Sequence, residues 1–314
     1  MKQFGVALLL ISIVINIIVL SYIFTPKDQK MKDTNSTLRK TFSLISPRVF
    51  IENPNDILIN FMNLRTALRT YSSTVKEPHG IYFEYLPSGV SIGINEKESF
   101  IVASLLKVPL VMSVFKKIED HKIKLSDLVT IEEQHLDPYF GTLWKKGAGT
   151  KLSIEELMRH AIIFSDNTAQ KTLYSTLSDK DVEDVYDSLD IPKELDGTQP
   201  VVSSKNYSSI LRSLYLSSYL QEENSQNLLQ SLTQTPFSDK IVAGVPVNIT
   251  VAHKIGVHLG GLVHSEIYSD CAIVYVPNRP YILCIMMKSD EPTAQTTMKN
   301  ISRIIYEYIS NAKK

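Results

Sequence analysis

The stretch IVASLLKVPLVM, residues 101–112, sets a serine and a lysine three residues apart, Ser104 and Lys107, inside an otherwise apolar run. On a helix, positions i and i+3 share a face, so the hydroxyl and the amine stand side by side. Desolvating a lysine is costly unless its charge is paired or lost, and in an apolar pocket its pKa falls. A neutral amine beside a hydroxyl can take its proton and so activate a serine nucleophile. Ser104 follows the strand-like SFIVA and is expected to cap the helix, where the positive end of the dipole also favours a developing oxyanion. Pro109 is expected beyond the first turn, distorting the helix by removing a donor.

The same spacing recurs at Ser73/Lys76, Ser113/Lys116 and Ser310/Lys313. What separates the pair at 104 and 107 is the apolar VPLVMSVF that follows. Two further groups carry chemistry. Ser165-Asp166-Asn167, in FSDNTA, sits between the apolar AIIF and a new helix, and taken alone reads as capping residues. Lys254-Ile255-Gly256, in HKIG, falls on a strand, where a lone lysine ordinarily guards an edge against pairing. His253, His258 and His264 lie nearby, but no second group of ligands accompanies them and their spacing fits no zinc pattern. No metal and no cofactor is expected.

The elements that must hold these groups follow from periodicity. Residues 54–75 read as a helix with Ile57, Phe61, Leu64 and Leu68 on one face. GIYFEYL and GVSIGIN read as strands joined at Pro87-Ser88. LSIEELMRHAII, the segment after SDN, DVEDVYDSLD and SSKNYSSILRSLYLSSYL read as helices, and the three strands NITVAHKIGVH, EIYSDCAIVYVP and RPYILCIMMK precede a C-terminal helix with Ile301, Ile304, Ile305 and Ile309 in a stripe. Strands from both chain ends with helices inserted between them imply an α+β fold: one antiparallel sheet flanked by N- and C-terminal helices, beside an all-helical lobe with a crevice between.

Charge balance is exact in sign, 33 basic against 33 acidic residues, so no net field draws the chain to nucleic acid. Cys271 and Cys284 flank the turn at 277–280 and are read as two buried thiols in preference to a disulfide. Between Gln3 and Pro26 no charge interrupts FGVALLLISIVINIIVLSYIF, about the length that crosses a bilayer. Residues 1–26 are therefore expected to be an uncleaved transmembrane anchor, with residues 4–24 in the membrane, and 27–46 a polar linker to a domain at 47–314. Lysines and arginines just after the run, counted literally, favour a cytoplasmic domain, although long domains translocate largely regardless of such charges.

In this order, S-x-x-K, S-D-N and K-x-G resemble the signature of class A β-lactamases and penicillin-binding proteins. The resemblance covers most of residues 50–310, through VSIGINEKESFIVASLLKVPL, LMRHAIIFSDNTAQ and SDCAIVYVPNRPYILCIMMK. It implies that Ser104 is the acylated nucleophile and Lys107 its general base or relay. Ser165 would protonate the leaving nitrogen, Asn167 would hold the substrate amide and Lys254 would meet the substrate carboxylate. The N–H groups of Ser104 and of Val257, which follows Gly256, would form the oxyanion hole. The implied substrate is a β-lactam or a peptidoglycan peptide ending in D-alanyl-D-alanine, which places the domain outside the cell membrane. An acylation-only or non-catalytic wall sensor is the alternative, and oligomeric state is left open.

Two departures bear on activity. Ile255 stands where the family carries a hydroxyl, removing a hydrogen bond to the carboxylate worth about 1.5–3 kcal/mol. The E-x-x-L-N that supplies the deacylating glutamate of class A enzymes is missing. Glu194 is the nearest replacement, against the plainer reading of a solvated turn residue. Acylation is expected to survive better than deacylation.

Overall fold

The computed structural model describes residues 43–44, 61–260 and 265–311, and all of them except Ser43 belong to one compact unit. The expected anchor, and the linker as far as residue 42, lie outside the described residues. Among the described residues no helix is long and apolar enough to cross a membrane. Leu44, inside the segment read as linker, is buried: its N–H donates to Gln226 Oε1 at 2.8 Å and its carbonyl accepts from the Tyr275 hydroxyl at 2.8 Å.

The first elements are α1 (Met62–Ser72), β1 (His79–Tyr85), β2 (Val90–Ile94) and β3 (Ser99–Ile101). The helical lobe follows as α2 (Lys107–Glu119), a β-ladder of β4 (Leu128–Thr130) and β5 (Lys151–Ser153), then α3 (Ile154–Ile163), α4 (Asn167–Tyr174) and α5 (Asp179–Ser188). A hairpin of β6 (Glu194–Asp196) and β7 (Gln199–Ser203) leads to α6 (Ser204–Leu216) and α7 (Glu222–Leu232). The chain closes with β8 (Val251–His258), β9 (Ile267–Val274), β10 (Tyr281–Lys288) and α8 (Glu291–Asn311).

The main sheet runs β2-β1-β10-β9-β8 and is antiparallel throughout. Its inner strands β1, β9 and β10 are buried along nearly their whole length because helices cover both faces. Ile81, Phe83, Tyr85, Leu283, Ile285 and Met287 pack with Leu64 and Leu68 of α1 and Met298, Ile301 and Ile305 of α8. Strand alternation turns Tyr82 and Glu84 to the other face, where Arg212 of α6 donates to both. Each fully buried leucine or isoleucine contributes about 1.5–3 kcal/mol, so this two-sided core makes the sheet a rigid frame.

Cys271 and Cys284 stand directly opposite in the β9/β10 register and are joined by a disulfide, with Cα atoms 4.0 Å apart. The expectation of two free thiols is overturned. Both side chains are fully buried, as buried thiols would be, but the register brings them face to face. The segment around 194–203 also differs from its reading as a turn before a helix. It forms a hairpin whose inner strand β7 pairs with β3, which carries the chain into Ser104.

Candidate active site

Val102 leaves β3 with its N–H bonded to the Pro200 carbonyl at 2.9 Å, and Ala103 then takes a left-handed turn, φ 47°. A left-handed alanine costs about 1–2 kcal/mol, which the surrounding packing must offset. Residues Ala103–Leu106 form a 3-10 turn, and α2 begins only at Lys107. Two expectations are corrected here. Ser104 makes no capping bond and lies inside the 3-10 turn, not at a helix N-cap. Pro109 is the third residue of α2, where its missing N–H has no intrahelical acceptor to lose, so the helix continues undisturbed to Glu119. Side chains at i and i+3 eclipse in a 3-10 turn, which stacks Lys107 over Ser104: Nζ lies 2.8 Å from Oγ.

Lys107 is wholly buried, yet its amine meets three oxygens: Ser104 Oγ, Asn167 Oδ1 at 2.7 Å and Ser165 Oγ at 3.4 Å. Burial pushes its pKa down to about 7, while the carboxylates of Asp166 and Asp137 work in the opposite direction. An ammonium has three hydrogens for three acceptors. When one proton leaves, Asn167 Oδ1, which can only accept, retains an N–H, so a hydroxyl is left facing the amine lone pair.

The second group is held by loop geometry. After α3, which opens with a Ser153/Glu156 capping box, the chain reverses through Ser165 at φ 55°. Asp166 is the N-cap of α4, accepting from Ala169 N–H at 3.0 Å. Its other oxygen accepts from Thr142 N–H at 2.7 Å and Leu143 N–H at 2.8 Å, pinning the 137–143 loop to the helix start. Gly141 permits that clamp: its φ is 88°, and a Cβ there would overlap the Asp166 carboxylate. In the same loop, Asp137 accepts from Asn167 Nδ2 at 3.2 Å and pairs with Lys171 at 2.9 Å. Asp137 carries no motif letter, and only its loop position next to Pro138 was visible in sequence.

The third group lies on β8, the edge strand of the main sheet. Gly256 lets it approach the nucleophile turn, since a Cβ there would stand 3.0 Å from Leu105 Cγ and 3.1 Å from the Val102 carbonyl. Lys254 shares that face. Its amine is buried without a hydrogen-bond partner, and its pKa is driven well below that of an ordinary lysine by burial and by repulsion from Lys107, with Asp270 opposing. Lys254 is thus tied to the other groups by charge and not by a direct bond. Val257 is partly buried on the core side. Ile255 also turns to that side and is buried opposite Asp270. His253 bonds Asp270 Oδ1 through Nδ1 at 2.9 Å and Thr235 Oγ1 through Nε2 at 2.6 Å, so both ring nitrogens are committed. His264 is outside the described residues. Among the described residues no cluster of His, Cys, Asp and Glu could hold a metal ion.

The serine, lysine and amide thus converge at the join of sheet and helical lobe, and the order of the three groups along the chain can be compared with known proteins. The sequence pattern of the beta-lactamase enzyme family matches residues 63–309. The chain belongs to that family. A beta-lactamase of Bacillus subtilis is 27% identical over 232 residues, covering 66% of this chain and 70% of that protein. A mutant of PBP-A, solved as an acyl-enzyme complex with penicillin G, is similar with a TM-score of 0.72 and 22% identity over 79% of this chain and 96% of that one. A beta-lactamase from Sphaerobacter thermophilus gives a TM-score of 0.71 and 20% identity over 80% and 98%. The fold is the α+β arrangement of beta-lactamases, and family membership supports a serine hydrolase. Glu194 lies exposed on β6, not in a turn, and accepts from Ser99 Oγ at 3.0 Å.

Proposed function

We propose that this protein is a membrane-anchored serine acyl hydrolase that forms an acyl-enzyme on Ser104 with a β-lactam or a D-alanyl-D-alanine-type peptide and releases it slowly. The observation that carries the reading is the buried Lys107 amine within 2.8 Å of Ser104 Oγ, with a pKa brought to about 7. Ser104 Oγ attacks the substrate carbonyl carbon while its proton passes to Lys107 Nζ. The oxyanion is met by the N–H groups of Ser104 and Val257; β8 is an edge strand, and such strands leave alternate N–H groups free of the ladder. The C–N bond then breaks, and the leaving nitrogen takes a proton from Ser165 Oγ, which Lys107 replenishes at 3.4 Å.

Asn167 holds the substrate amide, Gly256 admits the substrate against β8, and Lys254 receives the carboxylate. Its depressed pKa ties its charge to occupancy: an anion beside Nζ restores the proton that burial expels. Slow deacylation rests on Glu194, whose carboxylate is engaged with Ser99 and solvent and is a poor candidate to activate water at Ser104. The same feature favours the second reading, an acylation-only wall sensor. The segment 4–24 would anchor the domain, and the substrate chemistry, outweighing the flanking lysines, argues for the outer side of the cell membrane, where peptidoglycan is. The Cys271–Cys284 disulfide supports that placement, since such bonds persist in oxidising compartments.

The test is a pre-steady-state assay of the full-length chain with a chromogenic cephalosporin in excess. A burst equal to one active site, followed by turnover slower than acylation, is expected. A linear, rapid progress curve without a burst would refute slow deacylation, and an adduct that never decays would favour the sensor.

A further inference from the structure

The amide of Asn167 has two ends, one accepting and one donating, and which end faces Lys107 decides where that amine can direct its lone pair. We propose that Asp137 is a positioning residue of the acylation site, its carboxylate holding the Asn167 NH2 group so that the amide oxygen is turned to Lys107. The proposal rests on Lys107 being the proton acceptor of the preceding section.

The geometry is over-determined. An ionised carboxylate only accepts, so nothing but the NH2 end of Asn167 can face Asp137 Oδ1, at 3.2 Å. That orientation sends Asn167 Oδ1 to Lys107 Nζ at 2.7 Å. Asp137 is itself fixed from four sides. Its Oδ1 accepts from Tyr139 N–H at 3.0 Å, Oδ2 pairs with Lys171 Nζ at 2.9 Å, its own N–H donates to Thr168 Oγ1 at 3.0 Å, and its carbonyl accepts from the same hydroxyl at 3.4 Å. Burial works against its charge, but Lys171, Asn167 and the Tyr139 N–H outweigh that and hold its pKa below the usual carboxylate value.

Lys107 is faced by Ser104 from the 3-10 turn, by Ser165, Asp166 and Asn167 from the α3/α4 junction, by Asp137 from its loop and by the buried Lys254 amine from β8. Of these, Asp137 is the carboxylate that both orients a neighbour of the amine and adds negative charge near it. Asp166, by contrast, is occupied with backbone N–H groups.

Asp137→Asn removes the instruction, because an amide at 137 can offer either end to Asn167. Acylation of the full-length chain by a fluorescent penicillin is measured from pH 5 to 9 for wild type, Asp137→Asn, Asp137→Glu and Lys107→Ala. For Asp137→Asn the expected result is a plateau rate lower by about 10- to 100-fold, with the rising limb, near pH 7 in wild type, displaced to lower pH because one of the two carboxylates steadying the ammonium is gone while Asp166 remains. Asp137→Glu, which keeps the charge, should return the limb towards the wild-type position. A plateau and limb both unchanged in Asp137→Asn would overturn the proposal. So would a reduced plateau with an unmoved limb, which marks a merely structural loss. Should Asp137→Asn fail to fold, a limb in Asp137→Glu that moves as though no charge were present would also overturn it. If Lys107→Ala acylates at the wild-type rate, the underlying reading fails instead.

Discussion

Lys107→Met should abolish acylation and yet stabilise the protein. Lys107 is wholly buried, and its pKa falls from 10.5 to about 7 because burial disfavours the charged form. Unfolding restores the ordinary value, so the unfolded chain binds a proton that the folded chain has partly lost. Stability therefore rises with pH through the window from about 7 to 10.5, and the full penalty is present only below its lower end. At about 1.4 kcal/mol per tenfold, and with the amine half-protonated at pH 7, the penalty there is about 4 kcal/mol. Methionine fills a similar volume without it. The substitution leaves Asn167 Oδ1 without its donor, which returns about 1–3 kcal/mol of that gain. The expected net effect at pH 7 is a stabilisation of about 1–3 kcal/mol. By pH 9 the wild-type penalty has shrunk to about 2 kcal/mol, and the advantage of the variant falls by a similar amount. Relief of Lys254, which Lys107 repels, adds in the same direction. The assay is urea unfolding of wild type and variant at pH 7, 8 and 9, with acylation falling by at least about 100-fold in parallel. A stability difference that is flat across this range, or that grows with pH, would refute the depressed pKa on which the base assignment depends.

Ile255 is buried on the core face of β8 opposite Asp270, turned away from the Lys254 face, so Ile255→Thr should leave acylation unchanged while lowering stability by about 1–3 kcal/mol, read by urea unfolding; a faster acylation of a carboxylate-bearing β-lactam would contradict that placement. Gly141→Ala forces a side chain into a left-handed backbone against Asp166 and should cost about 2 kcal/mol or more, seen as a fall in Tm of about 4–8 °C. Replacing both Cys271 and Cys284 by alanine removes a crosslink with a sequence separation of 13 and should lower the unfolding free energy by about 3 kcal/mol, read from denaturant midpoints.

The elements legible in the sequence are those whose burial is periodic. The strands around Lys254, Cys271 and Cys284 alternate or run apolar over eight residues each, and α8 shows its stripe through Ile301, Ile305 and Ile309. Helix α7 escaped notice because EENSQNLLQSL buries little besides Leu228, Leu229 and Leu232. The β6 strand is exposed along its whole length and exists through pairing with β7, a tertiary cause that no local pattern carries. At the site, i,i+3 spacing announced the Ser104/Lys107 neighbourhood but not the 3-10 turn that produces it, since both helix types place such residues together. Asp137 was invisible for a different reason. A single carboxylate in a loop 30 positions before Asn167 acquires its role only when Asp166 and Gly141 fold that loop back onto α4.

The central claim is that Ser104 is acylated with Lys107 as its base, and mass spectrometry of the full-length chain after brief exposure to penicillin tests it most directly. The account predicts one adduct per chain, mapped to the peptide bearing Ser104 and absent in both Ser104→Ala and Lys107→Ala. An adduct on another residue, or an unmodified chain under saturating penicillin, would contradict it.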